Sequence, residues 1–244
     1  NYNENKRWNK SFNYLAPEVN PMCRIGAIKS LEYQHPLKAL ILMRSQQMGH
    51  DDSGFAMVMQ DLGGIFAEFK NVPLLSYSCS NKGKQIVSDF LLSKKFNLVF
   101  RWTPRPNKLP GLDIALMENY IFDNWDFPAE YAQASQAEKE ELLTAIRLEL
   151  RKILETSGDG FVFSFWPDVL TLKEIGNPRD IGIYFNLWEE NKDLVAKIIT
   201  IQCRQNTNYE IVRYAAHPFF LQGYTVLANG ENTFYIKNKE FQEK

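Results

Sequence analysis

Cys23 is the first residue in the sequence whose type and position suggest chemistry. It opens a short apolar stretch, Cys23–Ile28, of the kind that forms a buried strand. If the chain were cleaved before Cys23, one residue would carry both a thiol and a free α-amine, and the ordinary pKa of such an amine is near enough to neutrality for it to accept a proton. Nucleophile and base would then come from a single residue. Core packing is the alternative interpretation, because a cysteine side chain is small and apolar.

A second candidate region follows the last long strand that the sequence predicts. Arg204 lies at the end of the predicted strand Lys197–Cys203, and its planar guanidinium is suited to binding a carboxylate through two hydrogen bonds. Asn229-Gly230 follows the predicted strand Tyr224–Leu227, where a side-chain amide beside a backbone N–H would suit an oxyanion hole. A surface salt bridge is the alternative for Arg204, and a tight turn is the alternative for Asn229-Gly230.

The histidines do not indicate a metal site. His35, His50 and His217 are scattered, and no two of them have the spacing that places two ligands on one helix face. We interpret His50-Asp51-Asp52 as a loop that ends a helix, with an acid–base cluster as the alternative. His217-Pro218 is expected to shape the turn before the last strand. No metal ion is predicted for this chain.

Hydrophobic periodicity predicts the elements that would position these residues. Helices are predicted over Leu37–Met48, over Lys84–Lys95, and from the capping box Ser135-Gln136-Ala137-Glu138 to about Glu155, with Leu142, Ile146, Leu150 and Ile153 along one side of this last helix. Asp61-Leu62-Gly63-Gly64 predicts a hairpin between Phe55–Gln60 and Ile65–Lys70. Further strands are predicted at Ile25–Ile28, Leu98–Trp102 and Phe161–Trp166. Strands outnumber helices without regular β–α–β alternation, which favours an α+β fold.

The composition is that of an ordinary globular protein. Hydrophobic residues make up 45% of the 244 residues, which is enough for a sizeable core, and the net charge of −1 gives no indication of a nucleic-acid or anionic-membrane partner. No apolar run approaches the roughly 20 residues that cross a bilayer. Three cysteines without CxxC spacing favour a reducing cytoplasm. Residues 1–22 lack the apolar segment of a signal peptide and are expected to form an N-terminal extension or propeptide.

Three segments resemble motifs of one enzyme family. Met22-Cys23-Arg24-Ile25-Gly26-Ala27-Ile28 resembles the Met-Cys-Gly-Ile opening of class II glutamine amidotransferases, and Gln47–Phe55 is similar to their H-R-G-x-D-D-S-G-F element. The stretch 202–233 resembles the Q-R-F-S-T-N-T, A-H/Q-P-F and L-A-H-N-G-E-I-N-T elements of the glutamate-synthase branch. The chain is thus similar to the class II (N-terminal-nucleophile) glutamine amidotransferase domain of glutamate synthases.

This resemblance implies a fold, a reaction and a set of site residues. The fold would be the four-layer αββα sandwich of N-terminal-nucleophile hydrolases, formed by residues 23–244. The reaction would be hydrolysis of glutamine to glutamate and ammonia through a cysteine thioester, which makes the domain an enzyme with glutaminase activity. The nucleophile would be Cys23, and the oxyanion hole Asn229 and Gly230. The residues that bind the substrate would be Arg204, which holds the α-carboxylate, with Thr207 and Glu231.

The resemblance also implies partners. The ammonia would pass through a tunnel to an FMN-containing domain or subunit of glutamate synthase, which also carries iron–sulfur clusters and aminates 2-oxoglutarate. No cofactor is expected in the present domain itself. The setting would be glutamate biosynthesis in the cytoplasm, within an oligomer.

Several positions depart from the family pattern and leave alternatives open. Arg24 replaces a glycine, Gln47-Met48 replaces His-Arg, and Ala228 replaces the histidine before Asn-Gly-Glu. A later Ser-Asp-x-Glu element has no match before Lys244, so the domain is expected to be incomplete at its C-terminus. A non-catalytic, amidotransferase-like structural or regulatory subunit is the alternative. A third hypothesis, an amidophosphoribosyl or asparagine synthetase reaction, is disfavoured by the Ala-Ala-His-Pro-Phe element.

Overall fold

Antiparallel strands and α-helices occur in mixed order along the chain. The computed structural model describes residues 23–45, 54–104, 119–188, 193–204, 213–230 and 235–242. Its strands are β1 (Arg24–Gln34), β2 (Gly54–Leu62), β3 (Pro73–Cys79), β4 (Asn97–Trp102), β5 (Asn119–Asp126), β6 (Gly160–Pro167), β7 (Val169–Glu174), β8 (Ala196–Arg204), β9 (Phe219–Leu221) and β10 (Tyr224–Val226). Its α-helices are α1 (Leu37–Ser45), α2 (Asn81–Ser93), α3 (Gln136–Ser157), α4 (Pro178–Tyr184) and α5 (Tyr235–Gln242).

Eight of these strands form two four-stranded sheets. The first sheet has the strand order β1-β8-β2-β7, and the second has the order β4-β5-β3-β6. Strands β9 and β10 form a separate two-stranded hairpin. The paired strands are antiparallel in all three cases. The fold is therefore of the α+β class that the sequence predicts.

One face of the first sheet, which we call the helix face, is covered by α1. Gly26 and Met57 both pair with Ile201, so these three residues form a row across β1, β8 and β2 on this face. A Cβ atom on Gly26 would lie 2.8 Å from side-chain atoms of Leu42 and of Met43 in α1. Glycine at this position therefore allows α1 to pack closely against the sheet.

The opposite face of the first sheet, which we call the hairpin face, is covered by Tyr214–Ala228. This segment contains β9 and β10, and we call it the covering segment. Val58 is buried there in a cluster with Val169 and Phe220. The Thr225 hydroxyl donates a 2.7 Å hydrogen bond to Gln60 Oε1. The hairpin therefore lies along β2. The side chains that define this face in β2 and β8 are Ala56, Val58, Gln60, Gln202 and Arg204.

Helices α2 and α3 cover one face of the second sheet. Helix α3 begins at the predicted capping box, in which Ser135 Oγ accepts a hydrogen bond from Glu138 N and the Glu138 carboxylate accepts one from Ser135 N. It ends before Gly158, whose φ of 70° suits glycine. The predicted apolar stripe is off by one residue at each end, because Leu143 and Leu154 are the buried residues there.

The two sheets meet at β7, which is the edge strand of the first sheet. The backbone N–H of Thr171 in β7 donates a 3.0 Å hydrogen bond to Ser76 Oγ in β3. Trp166 of β6 packs against the cluster on the hairpin face, whereas Phe122 of β5 belongs to the core that includes the helix face. Side chains of the second sheet thus contact the first sheet on both sides of β7.

The predicted hairpin around Asp61-Leu62-Gly63-Gly64 is wrong. Its first strand exists as β2, but Gly64–Phe69 forms a 3₁₀ helix. The physical reason is that β7 and β8 occupy both edges of β2, so that no edge is available to a following strand. The sequence also did not predict β3, β5, β7, β9, α4 or α5.

The other predicted elements are present with changed bounds. Predicted strands fall within β1, β4, β6 and β8, and Tyr224–Leu227 corresponds to β10. The helix predicted over Lys84–Lys95 begins three residues earlier and ends two residues earlier, as α2. The helix predicted over Leu37–Met48 is α1 as far as Ser45, and its remainder lies outside the described residues.

A buried ion pair attaches the chain that follows residue 212 to β7. Arg213 Nε lies 2.8 Å from Glu174 Oε1 and 2.9 Å from Oε2. The Tyr120 hydroxyl donates a further hydrogen bond to the same carboxylate. Glu174 is fully buried and Arg213 is 8% exposed, so each charge depends on the other for its stabilisation.

Replacing Arg213 with methionine should therefore lower the free energy of unfolding by about 3–5 kcal/mol, because Glu174 would keep a buried charge without its cation. Urea denaturation followed by circular dichroism measures this loss. The control is Arg179→Met, at an exposed arginine of α4, which should change stability by no more than about 0.5 kcal/mol. Equal denaturation midpoints for the two variants would contradict the role of the ion pair.

Candidate functional site

Cys23 and Arg204 lie at the same end of the first sheet. In the antiparallel pair of β1 and β8, Arg24 is opposite Cys203. Continued by one residue, this register sets Cys23 opposite Arg204. Directly opposite residues have Cβ atoms about 4.5–5.5 Å apart and point to the same face. The two residues therefore belong to one row on the hairpin face, and the Cys23 residue is half-buried.

Gly54 of β2 completes this row and sets the path of the Arg204 side chain. Gly54 pairs directly with Arg204 on the other side of β8. A Cβ atom on Gly54 would lie 3.2 Å from Arg204 Cβ, 3.4 Å from Arg204 Cδ and 3.2 Å from Ala216 Cβ. The aliphatic part of Arg204 thus runs over Gly54, and Ala216 of the covering segment closes the same space.

Two buried polar side chains hold the covering segment against the hairpin face. Lys173 of β7 donates hydrogen bonds of 3.0 Å to the Tyr214 carbonyl and 2.6 Å to the Ala216 carbonyl. Gln202 of β8 accepts a 2.5 Å hydrogen bond from the His217 N–H and donates one of 2.7 Å to the Ala228 carbonyl. Lys173 is 1% exposed and Gln202 is 2% exposed. Sequence reasoning missed both residues, because their partners are far away in the chain.

Burial also shifts the ionisation of this region. Burial holds the pKa of Lys173 well below its usual range, and the positive charges of Arg147 and Arg151 lower it further. Burial likewise lowers the pKa of His217; this outweighs the hydrogen bond to the Val226 carbonyl, which raises the pKa, and Lys173 and Arg204 add smaller contributions that lower it. The region therefore favours a neutral imidazole at His217.

His217 also lies where the sequence predicts a turn. The His217–Pro218 peptide bond is cis and immediately precedes β9. The ring Nδ1 of His217 is 3.3 Å from the Val226 carbonyl oxygen, so it links the start of the covering segment to the end of β10. The chain then continues through Ala228 to Asn229 and Gly230, which are exposed.

The structure describes only some of the remaining residues that the sequence analysis singled out. Thr207 and Glu231 lie outside the described residues, as do Gln47-Met48 and His50-Asp51-Asp52. Arg24 departs from the glutamine amidotransferase pattern. It pairs with Cys203, so its side chain lies on the helix face, and the side chain of the neighbouring Cys23 points to the opposite face. This departure therefore leaves the face that carries Cys23 and Arg204 unchanged.

The described residues offer no alternative centre built on metal ligands. Among them, no group of three or more histidine, cysteine, aspartate or glutamate side chains is arranged to hold a metal ion. The three cysteines, all within the described residues, form no disulfide; Cys79 lies in β3 of the second sheet and Cys203 on the helix face of the first. A helix long and apolar enough to cross a membrane is also absent from this part of the chain.

Comparison with known proteins gives limited similarity. No protein-family model matches the chain. A protein of Archaeoglobus fulgidus, described only as uncharacterized, is 34% identical over 97 residues. This match covers 38% of the present chain and 25% of the relative. The chain thus matches about a quarter of the relative's length.

Replacing Gly54 with valine should lower the free energy of unfolding by about 1–3 kcal/mol, because the new side chain would collide with Arg204 and Ala216. Thermal and urea denaturation measure the loss. Gly230→Val is the matched control for stability, since a Cβ atom at Gly230 has no neighbour within 4 Å among the described residues, and it should cost no more than about 0.5 kcal/mol. An equally stable Gly54→Val protein would show that the space above Gly54 is open.

Proposed function

We propose that this chain is the glutaminase domain of a glutamate synthase. It hydrolyses glutamine to glutamate and ammonia, with Cys23 as the nucleophile. One feature carries the proposal: the register of β1, β8 and β2, continued by one residue beyond the Arg24–Cys203 pair, sets Cys23 opposite Arg204 on the face that the Ala216–Ala228 segment covers. The motif resemblance selects the same residues independently of the register.

The first chemical step uses the α-amine and the thiol of Cys23. Once the peptide bond before Cys23 is cleaved, its α-amine takes the thiol proton and the thiolate attacks the side-chain amide carbon of glutamine. A carbon–sulfur bond forms, and the carbonyl π electrons move to the oxygen. The Asn229 side-chain amide and the Gly230 N–H donate hydrogen bonds to this oxyanion.

The second step releases the two products in order. The tetrahedral intermediate collapses, the carbon–nitrogen bond breaks, and the α-ammonium of Cys23 returns its proton to the leaving ammonia. Water then attacks the γ-glutamyl thioester, with the α-amine again accepting a proton, and glutamate leaves as the thiol re-forms. Arg204 holds the glutamine α-carboxylate through a charged pair throughout, with Thr207 and Glu231 as further substrate-binding residues.

The wider assignments belong to the same proposal. The ammonia passes to 2-oxoglutarate on a partner domain or subunit that carries FMN and iron–sulfur clusters, in the cytoplasm and within an oligomer. The two sheets and their helices form the layers of an αββα sandwich over residues 23–244, with residues 1–22 as the segment to be removed. The two antiparallel four-stranded sheets, with α2 and α3 over one face of the second, support this arrangement.

Replacing Cys23 with alanine should lower glutamine hydrolysis by at least about 10⁴-fold, because the nucleophile is lost. A coupled glutamate assay on the full chain, expressed in its native host so that processing can occur, measures the rate. Cys79→Ala is the control, since this cysteine lies in the second sheet, and it should keep the wild-type rate. Hydrolysis that survives in Cys23→Ala would remove Cys23 from the mechanism.

Replacing Arg204 with alanine should raise the KM for glutamine by about 10- to 150-fold, since a hydrogen bond to a charged group contributes about 1.5–3 kcal/mol. The effect on kcat should be smaller, because the α-carboxylate is remote from the reacting amide. Arg44→Ala, at an exposed arginine of α1, is the control and should leave the KM within about twofold. An unchanged KM in Arg204→Ala would exclude Arg204 from the substrate site.

Absence of hydrolysis in the wild-type protein would favour the alternative, a non-catalytic amidotransferase-like subunit. The departures Arg24, Gln47-Met48 and Ala228, together with an extension 1–22 that is not removed, are the sequence features that support this alternative. The test is direct, because a structural subunit would bind a synthase partner without releasing glutamate from glutamine.

A further inference from the structure

Gln202 connects three parts of the candidate site through one side chain. It lies on the hairpin face of β8, two residues before Arg204, and pairs with Ile25 in β1. Its row is therefore adjacent to the row of Cys23, Arg204 and Gly54. At 2% exposure its amide is removed from water, so its polar atoms must find partners within the protein.

The two hydrogen bonds of this amide run to the two ends of the covering segment. The oxygen accepts from the His217 N–H at 2.5 Å, and the nitrogen donates to the Ala228 carbonyl at 2.7 Å. A backbone N–H only donates and a backbone carbonyl only accepts, so the side chain must offer one acceptor and one donor. Glutamine meets this requirement, whereas an ionised glutamate and a methionine of similar length do not.

The two backbone positions that these hydrogen bonds reach differ in their other contacts with the sheet. The His217 end is also attached by Lys173, which donates to the neighbouring Ala216 carbonyl, and by the contact of Ala216 with Gly54 and Arg204. The Ala228 end is the start of the exposed Ala228–Gly230 stretch, and the bond from Gln202 fastens it to the sheet. The donating bond therefore sets the position of Asn229 and Gly230 more than the accepting bond does.

We propose that Gln202 is the positioning residue of the oxyanion hole. Its hydrogen bond to the Ala228 carbonyl holds Asn229 and Gly230 next to Cys23. This inference rests on the proposed glutaminase function. Gln202 itself does not touch the substrate. It acts by anchoring the backbone of the oxyanion segment to β8, the strand that also carries Arg204.

Two variants separate the two bonds. Gln202→Glu, assayed above the pKa of the introduced carboxyl so that it is ionised, keeps an acceptor for the His217 N–H and loses the donor to Ala228, whereas Gln202→Met loses both. Both variants should lower kcat by about 10²-fold, the scale of losing one oxyanion-hole donor, with the KM for glutamine within about threefold because Arg204 is retained. The matched control is Gln60→Met, which loses a hydrogen bond on the same face but lies beside Thr225, and it should leave both constants within about twofold.

Hydrogen exchange measured by mass spectrometry on the same full-chain proteins gives a readout independent of activity. The His217 amide should stay protected in Gln202→Glu and exchange at least about fivefold faster in Gln202→Met, since only the second variant removes its acceptor. Peptides that cover Val226–Gly230 should exchange faster in both Gln202 variants and remain unchanged in Gln60→Met. Circular dichroism then verifies that the variants are folded.

The outcomes distinguish this inference from the proposed function. Wild-type kcat in Gln202→Glu, or a rise in KM with unchanged kcat, would overturn the positioning role while leaving the glutaminase function intact. If the wild-type protein does not hydrolyse glutamine, the proposed function and the catalytic part of this inference both fail. The anchoring of Ala228 is then decided by exchange alone, and unchanged exchange at Val226–Gly230 in both Gln202 variants would overturn it.

Discussion

The pairing of β8 on both of its edges is the constraint on which the rest of the candidate site depends. Strand β1 bonds to one edge and β2 to the other, with Gly54 opposite Arg204. Because side chains alternate, a slip of β8 by one residue would move Arg204 and Gln202 to the helix face. Ile201 and Met57 are fully buried on that face, so the hydrophobic core opposes such a slip. The register that forms the core therefore also brings the candidate site residues together.

Buried polar side chains hold the segment that lies above this end of the first sheet. Lys173 and Gln202 are buried, and their hydrogen bonds end on backbone atoms of that segment. Glu174 is next to Lys173 in β7, and its side chain points to the opposite face. It pairs with Arg213, the residue that precedes Tyr214. Buried polar groups are costly without partners, so each anchor favours one position of the segment. A site built in this way is defined by a few directional bonds.

Short-range patterns predicted the elements whose ends depend on local chemistry, such as the helix that begins at the capping box of Ser135. Long-range pairing was not predictable in this way. Strand β5 was missed because its Asp123 is balanced by Arg101, 22 residues earlier, through two 2.7 Å hydrogen bonds. In the candidate site, residue type and motif selected the reactive groups. The role proposed for Gln202 depends instead on its hydrogen bond to the carbonyl of Ala228, 26 residues away, which no spacing rule indicates.

The most direct test of the account is covalent labelling with a glutamine-mimicking electrophile such as diazo-oxo-norleucine, followed by intact mass, N-terminal sequencing and peptide mapping. Labelling should give one adduct per chain, located on Cys23, in protein whose N-terminal residue is Cys23, and free glutamine should slow the reaction. Protein that has a free Cys23 amine and takes no label, or that is labelled at Cys79 or Cys203, would contradict the assignment of Cys23 as the nucleophile of a glutaminase.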